Sequence, residues 1–257
     1  MNKKVGLLND TKTMAGRCLL LTKRNPDMIL TSFVSPVLLM TLFAFVLGGA
    51  INVGNSSYVN YIVPGIVLQC LGQCAATTAI SVSTDIKTGI IDRFCTMPIK
   101  KSSILSGHVL ESFARNVFAT FLVIVVAFIV GFRPEANLLS WLIVVITLFL
   151  YIFAISWCSV FFGIIAKSPE GAGAFSIFAI ALPYLSSGFA PTDTMPKALQ
   201  IFAEHQPMTP IIDTLRMAML GEKMNMDTFM LAILWCVILL IIFYALSVIA
   251  FKNKTTN

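Results

Sequence analysis

From Met28 to Thr84 the chain carries no Asp, Glu, Lys or Arg. A helix at the surface of a soluble protein keeps a polar face toward water, whereas a membrane helix needs about 20 mainly apolar residues. The uncharged stretch is therefore written for lipid. The polar group Asn52, Asn55, Ser56, Ser57 and Asn60 divides it into two helices joined by a short loop. Further apolar runs cover 109–130, 138–165, 172–190 and 229–251. The expected architecture is an all-α integral membrane protein of six transmembrane helices, with 1–257 forming a single domain. Composition agrees: 57% of residues are apolar and 12% charged, against about 25% charged in a soluble domain.

The net charge of +6 belongs to topology and not to nucleic-acid binding, because the basic residues lie between the apolar runs. One side of the membrane holds Lys3, Lys4, Lys12, Arg17, Lys23, Arg24, Lys87, Arg93, Lys100, Lys101, Lys167, Lys252 and Lys254, and the other holds Arg133, Lys197, Arg216 and Lys223. Cytoplasmic loops carry the excess of Lys and Arg, so both termini are expected in the cytoplasm of a multi-pass cell-membrane protein. Arg115 falls within the third run near the basic side, four residues after Glu111, where the two can pair along a helix. No cleavable leader is expected before the first span, and Met1 to Asp27 reads as a cytosolic segment. The six cysteines fall mostly inside apolar runs without CxxC spacing and read as small packing residues.

Three segments are neither spans nor plain loops. Thr11 to Asn25 places Met14, Cys18 and Leu21 on one helical face, with Lys12, Arg17, Lys23 and Arg24 largely on the other. That pattern describes an amphipathic helix lying in the membrane interface, with a basic tail obeying the charge rule as the simpler alternative. Asp85 to His108 carries both signs of charge around Ile86, Ile90, Ile91 and Phe94, which gives a short helix with an apolar face ended by Pro98. An apolar face left exposed between two spans marks a docking site; a solvated connector is the alternative. Ser186 to Asp227 is too apolar for a solvated loop, and Pro191, Pro196, Pro207 and Pro210 break it into short pieces. Such pieces can re-enter the outer leaflet where their backbone is buried in protein. Asp213 and Arg216 are spaced to pair within one of them.

The chemistry that is missing also bounds the function. No GxxxxGK[ST] phosphate loop occurs, so ATP handled in that way must sit on a partner. The span cores read as uncharged, which argues against proton relays and ion-coupled transport, and no cluster of carboxylates or histidines suggests a metal site or a lipid-modifying enzyme. Gln69 and Gln73 are the most polar side chains at depth; they either line a translocation path or hydrogen-bond between helices.

Three stretches together resemble the permeases of the second type of ABC exporter, in particular those of daunorubicin-resistance-like drug exporters. The basic amphipathic helix before the first span is similar to that family's connecting helix. The loop from Asp85 to Pro98 is similar to its coupling helix, with Gly89, Asp92 and Pro98 in matching spacing and with aspartates at 85 and 92 where glutamates are common. SSGFAPTDTMPKALQIFAEHQPMTPIIDTLR resembles its outer signature. The resemblance implies a homodimer joined on its cytoplasmic face by two copies of an ABC ATP-binding subunit, which would hold ATP and magnesium while this chain binds no cofactor and is no enzyme. It implies an ATPase-coupling loop of Asp85, Lys87, Gly89, Asp92, Arg93, Phe94 and Pro98, and an outer re-entrant segment containing Gly188, Pro191, Pro196, Pro207, Thr209 and Arg216. The implied activity is export of drug-like or lipid-like amphiphiles across a bacterial plasma membrane. Lipid-linked polysaccharide export and ion-coupled secondary transport are the alternatives.

Overall fold

A computed structural model describes residues 6–48 and 57–254, and within them it contains helices and no strands. In chain order these are α1 (Leu7–Arg24), α2 (Pro26–Leu42), α3 (Tyr58–Lys87), α4 (Ile90–Cys95), α5 (Lys101–Val130), α6 (Leu138–Ile165), α7 (Pro169–Gly173), α8 (Phe175–Tyr184), α9 (Lys197–His205), α10 (Met208–Met219) and α11 (Met226–Lys254). A π-helical turn, Phe43–Leu47, prolongs α2. The loop residues Asn52, Asn55 and Ser56 lie outside the described residues.

Among the described residues four helices, α3, α5, α6 and α11, are long and apolar enough to cross a membrane. Each has 28 to 30 residues, about 42–45 Å at 1.5 Å per residue, which overshoots a hydrocarbon core of about 30 Å. Their ends therefore project beyond it. α6 has the bounds expected from sequence, and α5 begins eight residues before the expected 109, because Ser103, Ile104, Leu105 and His108 already pack inside the protein.

α3 stands at the centre. In its most apolar window 78% of residues are buried, against 11% in α11; α3 packs on α2, α5, α6, α7 and α8, while α11 lies outside against α6 and α10. Its contact with α8 is backbone-close: a Cβ at Gly72 would stand 2.4 Å from the Ala179 carbonyl oxygen.

The fifth expected span, 172–190, is not one helix. It is made of α7 and the ten-residue α8, separated at Ala174, followed by turns through Ser186 and Ser187. Ser168 caps α7 through Gly171 N–H, and Pro169 occupies its first turn, so a new helix starts there. Apolarity alone gave no warning of the break at Ala174. None of the six cysteines forms a disulfide, and all but Cys95 are buried, in keeping with packing roles.

Candidate functional site

At one end of the bundle α1 lies alongside α5. A Cβ on Gly107 would come within 2.6 Å of the Met14 Cβ, so the glycine permits the approach. Met14, Ala15 and Cys18 are buried as one stripe. Leu21, expected on that stripe, is instead 46% exposed along with Leu19 and Leu20; Thr22 turns inward in its place because α5 offers Glu111 there, its hydroxyl donating to Glu111 Oε1 at 2.8 Å.

Arg17, expected on the polar outer face, reaches inward. Its Nη1 and Nη2 donate to Asp85 Oδ2 and Oδ1 at 2.6 and 3.1 Å, and His108 Nε2 lies 3.3 Å from Asp85 Oδ2. One carboxylate at the foot of α3 thus joins α1 to α5.

Asp85 therefore does not stand on a docking surface with Asp92: it is only 6% exposed and its oxygens are already engaged within the chain. The apolar face of α4 is likewise turned inward. Ile91 is buried beside Ile104, Leu105, Val109 and Ile164, with Ile86 and Phe94 packed on the same cluster, and the Arg17 guanidinium lies 5.1 Å from the Phe94 ring centroid. Gly89, with φ of 71°, makes the left-handed turn from α3 into α4 that this docking needs. What remains exposed includes the polar Lys87, Asp92, Arg93 and Thr96 and the apolar Met97 and Pro98.

Deeper in, Glu111 and Arg115 form the expected i, i+4 pair at 3.5 Å, but Arg115 also crosses to α3, where Nη2 donates to the Cys74 carbonyl at 3.1 Å and to Thr78 Oγ1. The interior of the bundle is therefore not free of charge, contrary to the sequence reading. Gln69 is enclosed at 1% exposure within the helix packing of the chain, its Oε1 without a hydrogen bond among the described residues, and Gln73 is half-buried. A polar stripe unnoticed in the sequence, Ser112, Asn116 and Thr120 at spacing of four, is buried on α5, and Ser112 Oγ meets Ser156 Oγ of α6 at 2.9 Å.

At the opposite end Arg216 gathers the segment between α8 and α11. Its Nη1 donates to Asp213 Oδ1 at 2.7 Å, Nη2 to the Ser187 carbonyl and Nε to the Tyr61 carbonyl at 3.3 Å, while the guanidinium lies 3.8 Å from the Tyr61 ring centroid. The expected Asp213–Arg216 pair is thus part of a larger knot. Pro191, Pro196 and Pro207 each precede a helix start, at Thr192–Thr194, α9 and α10, where a missing N–H costs nothing. Thr209 donates to the Ala203 carbonyl, fixing α9 on α10, and Gly188 lies against the backbone of Gly65. Nine of the twelve α10 residues are buried, while α9 exposes Leu199, Ile201 and Phe202. Sequence reasoning missed Tyr61, Ser187 and Gln206, the last bonding the Leu182 and Leu185 carbonyls.

Beside α10, an apolar cavity of about 210 Å³ opens between α6, α8 and α11, lined by Tyr151, Phe162, Phe175, Phe178, Met208 and Phe243 among others.

The family model for ABC-2 type transporters matches residues 9–220, from α1 through α10. This chain belongs to that family. It is 26% identical over 250 residues to the daunorubicin resistance ABC transporter permease protein DrrB1 of Streptomyces coeruleorubidus, covering 96% of this chain and 87% of that protein. It is 27% identical over 192 residues to a probable doxorubicin resistance permease, DrrC, of Mycobacterium tuberculosis (73% and 68% covered). The inner membrane transport permease YadH of Escherichia coli K12 is 27% identical over 198 residues (74% and 76%). The ABC-2 match contains both ends of the structure described above: the α1–α3–α5 junction and the Arg216 knot. The chain is a multi-pass membrane protein of a transporter family whose members include drug-resistance permeases.

Proposed function

We propose that this chain is the single-domain permease subunit of an ATP-driven exporter of amphipathic, drug-like molecules, with ATP and magnesium bound by a separate ABC ATPase. The observation that carries the proposal is the α4 turn: a short helix held rigidly beneath α3 and α5 by Ile91 and the Asp85 ion cluster, yet presenting Lys87, Asp92, Arg93 and Pro98 outward. A rigid, charged projection is suited to receive force from a docked subunit and pass it to the two helices it joins. In this reading the full complement of spans is six, with α2 and its π-helical turn as the first and α7–α8 as a broken fifth, and both termini face the cytoplasm. Two copies of the chain pair, and two ATPase subunits dock on their α4 rims. Substrate leaves between the copies, and the outer segment, with Gly188, Pro191, Pro196, Pro207, Thr209 and Arg216, shapes the exit. Export of drug-like amphiphiles is favoured over other cargo by the named resistance relatives and by the mainly apolar lining of the cavity beside α10.

Inside-out vesicles containing the chain and its ATPase test this. The proposal expects ATP-dependent accumulation of a fluorescent anthracycline, abolished by ATPase inactivation. Accumulation driven by an ion gradient without ATP would overturn it.

A further inference from the structure

A second cleft, of about 310 Å³, lies on the flank of the molecule where α1 crosses α5. Leu19, Ala114 and Phe118 form its walls, Lys23 and Thr22 its rim, and Glu111 and Arg115 its back. Arg115 is 93% buried, since only 7% of it is exposed, yet its Nε has no acceptor among the described residues and its Nη1 only the Glu111 carboxylate at 3.5 Å. A buried guanidinium with spare N–H groups is an anion site waiting for an oxygen ligand. The local charges are Lys23 and Arg115 against Glu111, a net of one positive charge. Above the cleft, α5 presents Phe118, Phe121, Val125 and Ile129, exposed by 54, 62, 39 and 79%, as a continuous apolar ridge along the helix. Beside it, Leu19, Leu20 and Leu21 are exposed on α1.

An anionic head fits the back and rim, and hydrocarbon fits the ridge. We infer that this cleft binds one phospholipid of the cytoplasmic leaflet, with its headgroup phosphate between Lys23 and Arg115 and an acyl chain laid along the Phe118–Ile129 ridge. The bound lipid bridges the interfacial helix to the span behind it, next to the Thr22–Glu111 bond that already joins them. This inference rests on the membrane-embedded reading of the chain and not on the presence of an ATPase.

The test uses the full chain in detergent, without ATPase or nucleotide, so that its failure leaves the exporter proposal standing and the reverse holds as well. Native mass spectrometry follows binding of dioleoyl-phosphatidylglycerol, of dioleoylglycerol, which lacks the phosphate, and of glycerol 3-phosphate, which lacks the chains. Two variants alter exposed positions: Lys23→Glu reverses the rim charge, and Ala114→Trp fills the cleft. Expected is one saturable phosphatidylglycerol per chain, weakened about tenfold in each variant with the melting temperature unchanged, and at least as much weaker binding of both truncated probes. Equal binding by wild type and both variants, or dioleoylglycerol binding as tightly as the phospholipid, would overturn the site. Glycerol 3-phosphate binding as tightly as the lipid would overturn the choice of lipid as occupant.

Discussion

Replacing Asp85 by Asn tests whether this residue fastens the protein internally or faces a partner. The side chain keeps its size and one carbonyl acceptor, but loses its charge and turns an N–H₂ group toward the donors of Arg17 and His108. Those donors now lie 2.6, 3.1 and 3.3 Å from the carboxylate oxygens. Removing one member of a buried ion pair costs about 3–5 kcal/mol; the Arg17 side chain is 25% exposed and recovers part of its hydration, which puts the cost near the lower end, about 3 kcal/mol. For a chain of this size that corresponds to a fall in melting temperature of about 6–12 °C, read by fluorescence-detected size exclusion after heating. A shift below about 2 °C would show that Asp85 does not fasten α1 and α5 to α3.

Two further predictions concern the ends of the molecule. Gly107→Val places a Cβ 2.6 Å from Met14 Cβ and 3.0 Å from the Met14 carbonyl carbon, an overpacking worth about 1–3 kcal/mol; α1 then loosens, and protease cleavage between α1 and α2 accelerates while cleavage in the α10–α11 turn does not. Arg216→Lys keeps the charge but cannot reach Tyr61, Asp213 and the Ser187 carbonyl together. It lowers stability by about 2 kcal/mol through lost charge-assisted bonds, whereas an unchanged melting temperature would show that the knot contributes nothing.

The apolar runs made the long helices legible, and α6 was bounded to the residue, because a membrane helix is a one-dimensional property of composition. The break at Ala174 was not, because it depends on how α7 and α8 fit against α3. The amphipathic helix was legible as a helix but its faces were partly misassigned: a long arginine can reach across from a polar face, as Arg17 does to Asp85, and only the neighbouring chain reveals the target. The same limit applies to Asp85 and Asp92, seven residues apart and alike in sequence, one buried in an ion cluster and the other exposed. Local pairs at spacing of three or four, Asp213–Arg216 and Glu111–Arg115, were readable; the cross-helix partners Cys74, Thr78 and Tyr61 were not.

In the proposed exporter the exposed α4 rim receives the ATPase. Co-expression of the chain with an ABC ATPase encoded beside it, followed by purification through a tag on the permease, tests this most directly when wild type is compared with the Asp92→Arg, Arg93→Glu double variant. Both side chains are exposed, so the variant is expected to keep the wild-type melting temperature. Equal stoichiometry of ATPase and permease is expected for wild type, with loss of the ATPase from the variant. Full retention of the ATPase by the folded variant would rule out the α4 rim as its docking site.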